Sequence, residues 1–203
     1  MKKYIILIVL TVLMTACGKS AIAPASGYGN TVSSFSATDE DGKTFTNKDL
    51  KGKVWIADFM FTNCKTVCPP MTYNMSTVVD ELEKQHVKNY GIISFSVDPK
   101  RDKPEVMKNY VAKYGSAMKH WKLLTNYDEK FIRQFGEESF KTIVVPPSKN
   151  NDQATHGTSF YLIDQNGTVI KDYIGKDTGD QKFPKDQIVK DVKVMSDKGP
   201  YKK

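Results

Sequence analysis

No apolar run in this chain of 203 residues is long enough to cross a bilayer. The apolar stretch at residues 4–14 falls well short of the ~20 residues that a spanning helix needs. The chain also lacks a basic run interleaved with aromatics. Its formal charge is +7, from 30 basic and 23 acidic residues, but the lysines are scattered. That pattern excludes a nucleic-acid footprint and describes a solvated lysine-rich surface, with at most a mild attraction to anionic lipid. There is no internal repeat and no interior linker, so solenoids and a second domain are excluded. Cysteine and histidine are scarce, with three of each. Each can therefore be weighed individually.

The first sixteen residues are targeting, not fold. Lys2 and Lys3 form a positive start, and residues 4–14 form an apolar core. Leu13-Met14-Thr15-Ala16-Cys17-Gly18 then places small residues directly before a cysteine. This resembles a bacterial lipoprotein signal: residues 1–16 are removed, Cys17 carries the lipid, and the protein sits on the extracytoplasmic face of the cell membrane. Residues 17–32 are rich in Gly, Ser, Ala and Pro and read as a flexible tether. The expected domain spans residues 33–197, and residues 198–203 form a tail.

The domain reads as alternating strands and helices. Phe35 and Phe45 flank Asp39-Glu40-Asp41-Gly42, the signature of a β-hairpin. Residues 54–61 are almost continuously apolar, as in a central strand covered on both faces. Met71, Met75, Val78, Val79 and Leu82 fall on one face of a helix expected over residues 70–86. Residues 92–97 read as a second buried strand and residues 104–114 as a helix closed by Gly115. A short strand at 121–125 and a helix capped by Asp128 follow. Residues 144–152 read as a polar loop. A hairpin spans 158–163 and 169–173, and residues 184–195 form the last helix. This order gives an α/β domain on the thioredoxin-like plan, monomeric, with its first β-α-β unit parallel and right-handed.

Chemistry concentrates where the first central strand ends. Cys64 and Cys68 lie on a strand-to-helix turn, the place where open α/β sheets present functional groups. If Cys17 is lipidated, these two remain as neighbours in an exported protein, where a disulfide is permitted. A loop this small makes a weak structural staple, because closing it removes little chain entropy. Pro69 biases Cys68 away from regular helix. The helix dipole and Lys65 favour thiolate at Cys68. Thiolates serve as redox nucleophiles and as soft metal ligands, and both roles stay open. The pair is separated by three residues, where thioredoxin enzymes have two.

His156 directly precedes a strand whose entry loop faces the cysteine turn in such a fold. Two sulfurs and an imidazole suit Cu(I) or Cu(II); zinc would also accept them but wants a fourth ligand, which water could supply. His86 and His120 read as surface residues. Met71 and Met75 read as core before ligands.

Three segments carry a family resemblance. Asp58-Phe59-Met60-Phe61-Thr62-Asn63-Cys64-Lys65-Thr66-Val67-Cys68-Pro69-Pro70-Met71 resembles the copper motif of the Sco/SenC family. Phe95-Ser96-Val97-Asp98-Pro99-Lys100-Arg101-Asp102 and Thr155-His156-Gly157-Thr158-Ser159-Phe160-Tyr161-Leu162 resemble its second and third signatures. The resemblance implies one copper per chain, held by Cys64, Cys68 and His156 with Asp98 in support. It implies a metallochaperone that assists assembly of the dinuclear copper site in subunit II of cytochrome c oxidase. Two alternatives remain: a thiol–disulfide reductase in which Cys64 attacks and Cys68 resolves, and a redox or copper sensor. Residues 146–154 are expected to be mobile without metal.

Overall fold

The structure is a computed structural model that describes residues 22–115 and 117–202. The signal sequence and Cys17 lie outside the described residues. Thirteen elements follow in order: β1 (Ser36–Thr38), β2 (Thr44–Thr46), β3 (Val54–Met60), α1 (Cys68–Lys84), β4 (Tyr90–Ser96), α2 (Pro104–Val111), β5 (Trp121–Leu124), α3 (Glu129–Phe140), β6 (Val144–Val145), β7 (Thr155–His156), β8 (Ser159–Ile163), β9 (Val169–Ile174) and α4 (Lys185–Lys198).

Five strands form the central sheet in the order β5-β4-β3-β8-β9. β3 pairs in parallel with β4, and β4 with β5, while β8 and β9 add antiparallel strands. This is the expected thioredoxin-like arrangement. Every residue of β3 and β4 is buried. Alternation along β3 sends its side chains to opposite faces. Phe59 joins an aromatic cluster with Phe95, Phe140 and Tyr161 at centroid separations of 5.3–6.2 Å. Asp58 and Met60 therefore point to the other face.

The β1–β2 hairpin turns at Gly42, whose φ of +78° suits glycine. Glu40 accepts from the Leu123 backbone N–H at 3.0 Å and ties the hairpin to β5. Part of the segment expected to be a tether is structured. Ala25, Gly29 and Val32 donate backbone hydrogen bonds to Ile170, Val169 and Gly167, and Val32 is buried. Ordered chain thus begins ahead of residue 33, because β9 offers an open edge to pair with. α1 starts at Cys68, two residues before the expected start. The steric bias against helix before Pro69 is overcome: Cys68 donates its N–H to the Cys64 sulfur and Met71 donates to the Val67 carbonyl.

Two short strands, β6 and β7, stand apart from the sheet and pair Val144 with His156 and Val145 with Thr155. β6 lies in the stretch expected to be loop. Strands of two residues have no readable periodicity.

Candidate metal centre

β3 ends at Met60, and the chain turns through Phe61 to Cys64, where the Cys64 N–H donates to the Phe61 carbonyl at 3.2 Å. The turn is fastened by Asp102, which is fully buried and sits just before α2. Its carboxylate accepts from the Thr62 N–H at 3.2 Å, the Thr62 hydroxyl at 2.5 Å and the Ser96 hydroxyl at 2.7 Å. Asp102 falls in the second family signature, but only the fold brings it to Thr62. Pro69 and Pro70 occupy the first turn of α1, where a missing N–H costs nothing.

The Cys64 and Cys68 sulfurs and a His156 nitrogen all lie within 4.8 Å of one another. Both cysteines are free thiols. His156 Nδ1 lies 2.9 Å from the Gly157 carbonyl, an acceptor only, so Nδ1 carries the proton. Nε2 is left with its lone pair facing the sulfurs, 3.4 Å from Cys68 Sγ. The Phe61 ring meets the imidazole edge to face at 6.0 Å and closes one side. Gly157, just after β7, permits a close approach to Thr142: a Cβ there would meet Thr142 Oγ1 at 2.2 Å.

The electrostatics favour the thiolate at Cys64, not at Cys68 as expected. Cys64 is held down at about 3, chiefly because the Cys68 thiol donates to it, with further donation from the Cys68 and Thr66 backbones outweighing burial. Cys68 is pushed up, first by its bond to the Cys64 thiolate and then by burial. The first N–H of α1 points at Cys64 Sγ at 3.3 Å, so the positive helix end favours charge on Cys64. Cys64 is also the more accessible thiol, 7% exposed against 1% for Cys68. That agrees with Cys64 as the attacking sulfur.

Asp98 does not reach the triad. Its buried carboxylate pairs with Arg101, and its N–H donates to the Ser96 hydroxyl at 3.0 Å. The acid behind the triad is Asp58, which burial pushes up to about 6 against a hydrogen bond from Ser94 and the field of His156. Nothing in the apolar run around Asp58 singled it out as functional. Met71 and Met75 are buried core, as expected. His86 is exposed, but His120 is not a free surface residue. Its ring stacks on Tyr90 at 4.5 Å and its Nε2 lies 3.3 Å from Glu83. A second acidic group, Asp39, Glu40 and Asp41, is already paired with Lys122 and Lys108.

A sequence profile described as SCO1/SenC matches residues 24–193. A Bacillus subtilis "SCO1 protein homolog" is 42% identical over 183 residues, covering 90% of this chain and 91% of that protein. The solved structure of BsSco, described as a member of the Sco family of cytochrome c oxidase assembly proteins with a disulfide switch, matches at 40% identity. Its TM-score is 0.74, covering 86% of this chain and 98% of that one. ScoI of Bradyrhizobium japonicum, solved with copper bound, matches at 29% identity with a TM-score of 0.65, covering 81% and 98%. With the profile spanning most of its length and its two sulfurs and imidazole gathered at one strand end, the chain belongs to the SCO1/SenC family.

Proposed function

We propose that this chain binds one copper ion through Cys64 Sγ, Cys68 Sγ and His156 Nε2 and passes it to a partner. The observation that carries this reading is the gathering of the three donors within 4.8 Å, with Nε2 unprotonated. The donor set fits copper: two soft sulfurs suit Cu(I), and the added imidazole suits Cu(II). Three donors leave room for an incoming ligand, which transfer by ligand exchange requires. By family analogy the receiving site is the dinuclear copper centre in subunit II of cytochrome c oxidase. The lipoprotein-like start supports a lipid on Cys17 and a working position at the extracytoplasmic membrane face.

Copper titration of the reduced protein beside His156→Ala tests the triad. Loss of the imidazole should remove nitrogen from the Cu(II) coordination and weaken Cu(II) binding by more than the roughly 10- to 100-fold that loss of a ligand's hydrogen-bond partner costs. Unchanged affinity and spectrum would overturn it.

A second reading rests on the low-lying Cys64 thiolate beside a protonated Cys68. Cys64 would attack a partner disulfide and release one partner thiolate. Cys68, on losing its proton, would then attack the mixed disulfide. Two electrons leave the dithiol, a Cys64–Cys68 disulfide forms, and the partner holds two reduced cysteines ready for copper. The same His156→Ala variant separates the readings, because dithiol exchange does not require the imidazole.

A further inference from the structure

Three loops meet at Asp152, four residues before His156. The first is the cysteine turn: Asn63, directly before Cys64, donates its side-chain amide to the Asp152 carboxylate at 3.2 Å. In return the Gln153 amide donates to the Asn63 carbonyl at 3.4 Å. The second is the turn after β4: Arg101 Nη2 donates to the Asp152 backbone carbonyl at 2.6 Å. The third is the β6–β7 connection, which carries Asp152 itself. The guanidinium is not free to swing, because its Nε is paired with the buried Asp98 carboxylate. A planar fork with one arm seated and the other directed outward fixes where the carbonyl must lie.

On its far side, His156 is held by a two-residue ladder to β6. So short a ladder contributes little by itself. The stretch between, residues 146–154, was expected to be mobile, and its hold on the cysteine turn runs through Asp152 and Gln153.

We propose that Arg101 is a positioning residue for the metal triad. Seated on Asp98, it clamps the Asp152 carbonyl and so holds His156 against the Cys64–Cys68 turn. Release of this clamp withdraws the third donor while the two sulfurs keep their places, since Asp102 fastens their turn independently. Asp98 then supports the site by seating Arg101. This inference rests on the copper reading for its consequence, but not for its geometry.

The test uses the full-length chain in detergent, as wild type, Arg101→Ala and Arg101→Lys. In the copper-free reduced proteins, amide hydrogen exchange over residues 148–156 should be roughly tenfold faster in Arg101→Ala, the loss of one charge-assisted hydrogen bond. Amides of β3 and β4 should be unchanged. Loaded with Cu(II), Arg101→Ala should lose or weaken the nitrogen coupling seen in wild type by electron paramagnetic resonance. Its Cu(I) binding should stay within about threefold, since both sulfurs remain. Arg101→Lys keeps the charge but not the fork and should fall between the two. Unchanged loop exchange in Arg101→Ala, or Arg101→Lys matching wild type in both readouts, would overturn the clamp. If Arg101→Ala also speeds β3 and β4 exchange, the Lys variant decides alone. Absence of nitrogen coupling in wild type would sink the copper triad instead, and loop exchange would still judge Arg101.

Discussion

Asp58 is buried behind the thiols, and its Oδ1 has no hydrogen-bond partner among the described residues. Burial raises it to about 6 from a usual value of 3.8. The folded chain therefore holds this proton more tightly than the unfolded chain. Stability from Asp58 is full below about pH 4 and falls as pH rises towards 6. Asp102, also raised by burial, acts in the same direction. Cys64 acts in the opposite one, because its lowered value makes stability grow with pH over this range. The contribution of Asp58 is thus read as a difference. Asp58→Asn should match wild type near pH 4 and become more stable by on the order of 3 kcal/mol above pH 6, in urea unfolding of the copper-free protein. A flat difference across that range would show that Asp58 ionises without penalty. Cys64, Cys68 and His156 were legible as a site because cysteine and histidine are rare and reactive. Asp58 was not, because a single acid in an apolar run looks like one polar position in a strand.

At the scale of elements, starts were easier to place than ends. Asp128 caps α3 as expected, accepting from the Phe131 N–H at 2.6 Å. α3 runs to Phe140, which packs on Tyr161 at 4.9 Å, and closes on Lys141 at a φ of +57°. Long-range packing extended a helix whose local signals end earlier. The cap contributes locally and additively. Asp128→Ala should lower stability by about 1 kcal/mol without altering copper binding, measured by chemical denaturation beside a copper titration. A change in copper spectrum would mean that α3 couples to the metal site through β6. The β6–β7 pair escaped sequence reading for the opposite reason. It exists because Val144 is buried and its strand fits beside His156, not because either segment favours strand.

For the whole molecule, no helix among the described residues is long and apolar enough to cross a membrane. The proposed membrane attachment through a lipid on Cys17 can be tested directly. Cys17→Ser should move the protein from the membrane fraction to the soluble fraction, with residues 1–16 retained, as shown by fractionation and intact mass. Continued membrane association would argue against lipid at Cys17. The alternation of buried strands and amphipathic helices, the turn that carries Cys64 and Cys68, and the rarity of sulfur and imidazole were determined by the sequence alone. Burial periodicity and residue chemistry are local properties. Which thiol holds the charge, where Asp98 acts, what fastens Thr62 and what meets at Asp152 were decided by tertiary structure. Each depends on groups tens of residues apart arriving within hydrogen-bond distance: Thr62 with Asp102, Arg101 with Asp152, Cys68 with His156. No periodicity in the chain encodes that proximity. It arises because β3, β4 and β8 are neighbours in one sheet and deliver their loops to the same end.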